Sequence, residues 1–392
     1  MYQVIIVGGG LAGACLALAL SQHAQGSITT AVIEALPPAR QTPAEDDRAI
    51  ALAHHSCQQL AQLGLWPLVA AKATAIRSIQ ISETHCSALA TLRAEAYRLP
   101  ALGQVVAIQT LRQQLARLLT TAAGVTVYAP AEVVSVTPQA DQVLVQLQPG
   151  EVLSGQLLVI AAGSRSPLSQ QLALRYHCWD HHQHAIIATL STEEPHRGRA
   201  FERFTREGSL AILPKTVEQC ALVWCQPQER QQQLLALTDQ AFLQQVQQVF
   251  GWRLGALSQL QRRQSYPLST QVAVRPVGHR WVAVGNAAQT LHPIAGQGFN
   301  LALRDVLQLA ECLISAWSQQ QAIGTYQLLD DYRQRRQGDQ QRMVRFTQGL
   351  LQLFGSQQPL SKVSRQVGLH LFDSTPFVKN RVASWLLGTP AW

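Results

Sequence analysis

The chain has 392 residues, a net charge of +8, 47% hydrophobic residues and 14% charged ones. That length suits two domains, and the composition is that of an ordinary folded protein rather than a fibrous or disordered one. The positive charge favours an anionic partner such as a phosphate-rich cofactor or an anionic membrane surface, while the lack of a dense Lys/Arg stripe with interleaved aromatics speaks against nucleic acid.

The N-terminus reads "MYQVIIVGGGLAGACLALAL". It has no basic n-region, and glycines interrupt its apolar run, so it is neither a secretory signal nor a membrane span. Val4 to Val7 has the β-branched composition of a buried parallel strand. Gly8, Gly10 and Gly13, with Ala12 among them, then form G-x-G-x-x-G, followed by a helical "ACLALALSQ" and a second strand, "TTAVIEA", ending at Glu34. Gly8 permits the tight turn, Gly10 lets a pyrophosphate reach the backbone, and Gly13 lets helix and strand close up. The helix start offers free N–H groups to phosphates, and Glu34 can accept from ribose hydroxyls. An acid there disfavours a 2′-phosphate, leaving FAD or NAD.

Farther on, the helical "TLRQQLARLLTTA" leads into alternating strands such as "QVLVQLQ". From about residue 176 to 267 strand-like segments dominate, with one helix, "DQAFLQQVQQVFG". The expected division is a discontinuous nucleotide domain (1–74, 101–175 and 268–345), a smaller sheet-plus-helix domain (75–100 and 176–267), and a helical C-terminal region (346–392). The run "HCWDHHQH" carries four histidines, but extended residues alternate faces and no ligand spacing fits, so no metal is expected. The cysteines Cys15, Cys57, Cys86, Cys178, Cys220, Cys225 and Cys312 are dispersed, odd in number and without C-x-x-C. They suit free thiols in a cytoplasmic protein.

A second glycine cluster follows the strand-like Trp281–Val284. In "GNAAQTLHPIAGQGFNLALRDV", Gly285 and Asn286 open a loop through His292 and Pro293 to Gly296, Gln297 and Gly298. A helix then starts around Phe299 and Asn300. A plain NAD fold needs no second anion-binding helix start, whereas a flavin needs one anchor for its pyrophosphate and another for its ring. N–H groups from Gly296 to Asn300 can face N1 and O2 of the ring.

Together, "IIVGGGLAGACLALAL", "DRAIALA", "GQVVAI" and the second cluster resemble the class A flavoprotein aromatic hydroxylases, most closely their ubiquinone-biosynthesis branch and, within it, the 2-polyprenyl-6-methoxyphenol hydroxylases. The resemblance spans essentially the whole chain. It implies an α/β fold with a Rossmann-like FAD-binding domain of the para-hydroxybenzoate hydroxylase type, a smaller substrate domain and a helical tail. By similarity, Gly285 and Asn286 contact the ribityl and pyrophosphate, with Asn286 where relatives carry Asp and Gln289 in place of a histidine. Arg48 and Gln104 touch the flavin side. The segment "LLVIAAGSRS" has Ala162-Gly163 where the family has Asp-Gly, which puts nicotinamide nucleotide use in doubt, while Arg165 remains for a phosphate.

The implied activity is FAD-dependent ring hydroxylation of a polyprenylated methoxyphenol through a flavin C4a-hydroperoxide, with O2 and NAD(P)H or another electron donor. The rival readings are a non-oxygenating flavin reductase or oxidase and an FAD-holding subunit of a quinone-pathway complex. A phenol pocket should be apolar, and Phe201, Phe204, Leu213, Pro214 and Trp224 are candidates for its wall. No acid–base triad is assigned; His292 and Pro293 lie nearest the reacting locus. Other possible partners are a ubiquinone-biosynthesis complex, a second copy of the chain and, through the amphipathic C-terminal stretch, the inner face of a membrane.

Overall fold

A computed structural model describes residues 1–36, 48–84, 88–148, 150–164, 166–355, 367–368 and 371–388. The β-branched N-terminal run forms the strand Tyr2–Val7, whose last four residues are buried. Buried on both sides, it sits inside a parallel sheet, as its unbroken apolar run requires. The order is Val277–Gly278, Trp281–Ala283, Val152–Ile160, Tyr2–Val7, Thr30–Ile33 and Val125–Tyr128, and each pair after the first is parallel. A Val143–Gln148 strand continues it through antiparallel pairs with Val152–Ile160 and Glu132–Pro138. The helix Leu11–His23 crosses from the first strand to the second, with Gly13 through Ser21 buried.

A nine-stranded, mostly antiparallel sheet runs Gln289–Thr290, Gln264–Ala273, Tyr176–Thr192, Gln219–Pro227, Ser209–Pro214, Arg199–Phe204, Ser78–Glu83 and Leu89–Arg93, with Leu257–Ser258 beside Tyr176–Thr192. It extends past Leu268, because the strand Gln264–Ala273 is continuous and residues 289–290 pair with it. The "HCWDHHQH" run lies in the long strand Tyr176–Thr192, and among the described residues no three His, Cys, Asp or Glu side chains gather as a metal site.

Side-chain alternation gives this sheet two unlike faces. On the back face Phe201, Leu210, Ile212, Leu222 and Trp224 pack on Phe242, Val246 and Phe250 of the helix Asp239–Phe250. On the front face Ala200 and Leu213 meet Ala383 and Leu387, and Phe204 meets Ile294 and Phe354.

The signature helix, Gly298–Ser318, packs beside the first helix and turns its apolar stripe (Leu301, Leu303, Val306, Leu309, Leu313) into the same core. A long helix, Tyr326–Gly355, leads back to the front face, where Phe354 stacks on Phe204 with ring centroids 3.5 Å apart. The C-terminal helix, Pro376–Leu386, also docks there. Its Trp385 ring meets Phe346 edge-on at 5.0 Å. Core packing therefore occupies its inner side, while Phe377 on its outer side is 73% exposed. Among the described residues no helix is long and apolar enough to cross a membrane.

Candidate functional site

Four parallel strand ends are tied in a staircase of main-chain bonds at the carboxyl edge of the first sheet. Gly8 N–H donates to Ile33 O (2.8 Å), Ala161 N–H to Val7 O (2.8 Å) and Val284 N–H to Ile160 O (2.9 Å). The crevice outside such an edge is where open α/β sheets take ligands. The first glycine turn lies in it, and Gly8 holds φ +107°, a value that favours glycine. A Cβ on Gly13 would stand 2.0 Å from Gly8 O, so only glycine lets the first helix seat. Gly10, by contrast, has no atom within 4 Å of where a Cβ would stand. Its open side faces the crevice at the helix N-terminus, where the free N–H groups gather.

Glu34 follows the second strand, but its carboxylate is already engaged. Oε2 accepts from Gly9 N–H (2.8 Å) and Oε1 from Leu36 N–H (3.0 Å). Its acceptors are thereby fixed beside the glycine turn, each with a lone pair left for a ligand hydroxyl.

The second glycine cluster meets the first. At Gly285 (φ +60°) a Cβ would lie 3.0 Å from that of Ala12, which puts Gly285 and Asn286 directly behind the first glycine turn. Gly163 also opens into space, with no atom within 4 Å of its Cβ position, and the exposed Ala162 brings no carboxylate to this edge. Arg165 lies outside the described residues.

From there the chain makes its loop, held shut by side chains of the same signature. Gln289 Nε2 donates to Asp305 Oδ2 at 2.6 Å, joining the loop's entrance to the helix that follows it. Asn300, 1% exposed, accepts from Ala53 N–H (2.8 Å) and donates to Ala51 O (3.0 Å) and Gly296 O (2.9 Å). Its amide is a staple to the strand Ala49–Ala53, so only its main-chain N–H is left for a ligand. Leu301 N–H is bonded to Gln297 O (3.0 Å), and the N–H groups of Gly298, Phe299 and Asn300 precede any helical carbonyl they could reach. Gly298 again has open space where a side chain would be.

Gln297 is buried, with Nε2 shared between Ala295 O (3.2 Å) and Leu386 O (3.4 Å) of the C-terminal helix, and Oε1 unpartnered. Gln104 pairs with Leu52 on the neighbouring strand. Arg48 lies over the Tyr266 ring, 5.2 Å from its centroid, and bridges the loop side to the second sheet.

His292 takes a structural place. Its Nδ1 accepts from Ile294 N–H and its Nε2 faces Gln183 Oε1, both at 3.3 Å, which holds the neutral Nε2–H tautomer. Burial, with the His181 ring edge-on at 5.2 Å, pushes its pKa down to about 3. The unfolded chain's histidine takes a proton below about pH 6.5 and the folded one does not. Stability is therefore full above that pH and falls as pH drops toward the folded value, by at most about 1.4 kcal/mol per unit. Apparent Tm measured at pH 7.5 and 5.0 should fall more in the wild type than in His292→Asn; equal slopes would exclude His292 as the source.

The candidate pocket wall divides in two. Phe201 and Trp224 belong to the back face, buried under the helix Asp239–Phe250 (Phe201–Phe250 5.1 Å, Trp224–Phe242 5.9 Å) and turned away from the loop's Ile294. Pro214 shares their alternation and pairs with Cys220 at the strand end. Phe204 and Leu213 face forward, with Phe204 packed on Ile294 of the loop itself.

The described site is thus a sheet edge flanked by two glycine turns that meet at Gly285 and Ala12, with the apolar sheet face reaching the second loop at Ile294. Open glycine positions beside two helix starts fit an anionic ligand. The comparisons agree. A profile of the FAD binding domain matches residues 1–347. Ubiquinone hydroxylase UbiL of Rhodospirillum rubrum is 33% identical over 391 residues, covering 99% of this chain and 90% of that protein. The chain belongs to the FAD-dependent hydroxylases of ubiquinone biosynthesis. A second relative in this family, 3-demethoxyubiquinol 3-hydroxylase of Escherichia coli, is 30% identical, with 98% of each chain covered. Among solved structures, p-nitrophenol 4-monooxygenase PnpA from Pseudomonas putida superposes with a TM-score of 0.80 over 100% of this chain and 99% of that one, at 15% identity. At that identity the likeness shows the fold, that of a flavin monooxygenase. As a hydroxylase of this family the protein is an FAD-dependent aromatic-ring monooxygenase.

Proposed function

We propose that this hydroxylase acts on the ring of a polyprenylated methoxyphenol, an intermediate of ubiquinone biosynthesis, with O2 and a reduced nicotinamide nucleotide. The observation that carries the reading is the seating of Gly285 against Ala12. It places the two amide-rich turns where one extended dinucleotide can meet both.

In this reading Gly8, Gly10 and Gly13 would hold the FAD pyrophosphate, Glu34 its adenosine ribose, and Gly285 with Asn286 the ribityl chain. Gly298, Phe299 and Asn300 would offer N–H groups to the edge of the ring that gains negative charge on reduction. When bound, the flavin would supply the redox and oxygen chemistry. The chain's own residues bind, orient and exclude water. Phe204, Leu213 and Ile294 form the dry wall, and Arg48 with Gln104 borders the flavin side.

The test is substrate-stimulated NAD(P)H oxidation by purified protein, with products weighed by mass spectrometry. A product heavier by one oxygen, labelled from ¹⁸O2, supports the proposal. A product reduced or desaturated without label, or oxidation indifferent to the phenol, overturns it.

A further inference from the structure

Between the two apolar clusters of the front face stands a carboxylate that the fold leaves half satisfied. Glu202 shares this face with Ala200, packed beside Leu213 and Leu387, and with Phe204, packed on Ile294 and Phe354. The Ser209 hydroxyl hydrogen-bonds the Glu202 carboxylate. Its other oxygen, Oε1, is sealed from solvent and has no hydrogen-bond partner. A buried acceptor without a donor costs about 1–3 kcal/mol, and more for a charged group. An apolar sheet interior gains nothing from such a group. A ligand hydroxyl would supply the missing donor, and the loop of Ile294 fixes that ligand's place beside the flavin side.

We propose that Glu202 is the proton acceptor for the phenolic hydroxyl of the substrate. The assignment rests on the phenol reading above. In the step, the phenol O–H bond breaks, the proton forms an O–H bond on Glu202, and the electron pair stays on the phenolate oxygen. It enriches the ring carbon that receives oxygen. No oxidant or reductant is consumed.

Burial raises the Glu202 carboxyl to about 7, and the Ser209 bond opposes the rise. A phenol near 10 can pass its proton to such a group far more readily than to an ordinary glutamate near 4.3. Two other titratable groups on this side do not compete for it at neutral pH. Cys225, on the strand Gln219–Pro227, is held as a thiol by burial, which pushes it to about 12. His292 on the loop stays neutral, as shown above. Glu83 shares the face by pairing with Phe204, and Tyr266, under Arg48, by pairing with Ala185.

The experiment uses flavin-loaded enzyme and 2-prenylphenol bearing a short isoprenoid tail. Wild-type kcat/KM for this phenol should rise with pH along an acid limb at about 7, where Glu202 gives up its own proton. Glu202→Gln should bind FAD and the phenol but lose that limb, with kcat lower by ~100-fold or more, and should regain most of the rate on a ring-fluorinated prenylphenol that is already ionised. Ser209→Ala removes a donor to the charged form. It should move the acid limb of the kcat/KM profile to higher pH. An acid limb that persists in Glu202→Gln, or an unmoved limb in Ser209→Ala, overturns the assignment. Equal losses in Glu202→Gln on the neutral and the ionised phenol also overturn it. Wild type that gives no oxygenation of either phenol sinks the substrate reading first, and this assignment with it.

Discussion

Alanine at position 13 should give a protein that is nearly colourless after purification. Its Cβ would stand 2.0 Å from Gly8 O, 3.1 Å from Ile6 Cγ2 and 3.2 Å from Ala161 Cβ. No rotamer relieves a clash with a backbone carbonyl, so the first helix must lift off the first strand. Overpacking of this kind costs about 1–3 kcal/mol, and a contact with main chain belongs at the upper end. The shift also moves the N–H groups of the helix start away from the phosphates, and about 2.8 kcal/mol of lost contact weakens binding ~100-fold. Gly10→Ala separates folding from binding, since its Cβ meets no protein atom and Gly10 has an ordinary negative φ of −67°. That variant should keep the apo-protein's Tm and still lose FAD, because a methyl there would fill the space that the proposed reading gives the pyrophosphate. Flavin absorbance per protein and the Tm of flavin-stripped samples check both. A Gly10→Ala protein that stays fully yellow would show that the crevice is not the phosphate site.

The parts of this site that were legible in the chain are those where backbone chemistry leaves one solution. Strand, three glycines, helix, strand and acid can be assembled in one way, and the structure places Gly8, Gly13 and Glu34 together. The second glycine loop was legible for the same reason. Sheet faces were not. Alternation assigns residues to two sides without saying which side a helix will cover, so Phe201 and Trp224 read as pocket wall yet lie under the helix Asp239–Phe250. One signal was available. Phe201 and Phe204 are three residues apart in a strand and must point to opposite faces, so they cannot line the same pocket. The same reasoning puts Glu202 beside Phe204, a charged residue on the apolar front face. The clasps Gln289–Asp305 and Asn300–Ala51 join residues whose proximity depends on loop geometry, which no local pattern encodes.

The largest stability loss should come from Asp305→Ala. Asp305 is 1% exposed and accepts from Arg336 Nε and Gln289 Nε2, each at 2.6 Å. Arg336 also bonds Asp339 (2.7 Å), which in turn pairs with Arg304 (2.9 Å). Two acids and two arginines thus balance between the signature helix and the long helix. Removing Asp305 leaves an excess of buried positive charge, and breaking such a pair from one side costs about 3–5 kcal/mol. For a chain of 392 residues the expected fall in Tm is roughly 4–6 °C. Gln289 would lose its anchor as well, so the loop would open at its entrance and FAD affinity should drop. Asp305→Leu combined with Arg336→Met removes one charge of each sign and leaves Asp339 with Arg304. That double variant should be more stable than either single one, since burying apolar side chains in place of an ion pair is often neutral or favourable. It should nonetheless remain short of FAD, because Gln289 is still unheld. Equal Tm values for the double and single variants would mean that packing, not charge balance, governs the contact between these helices.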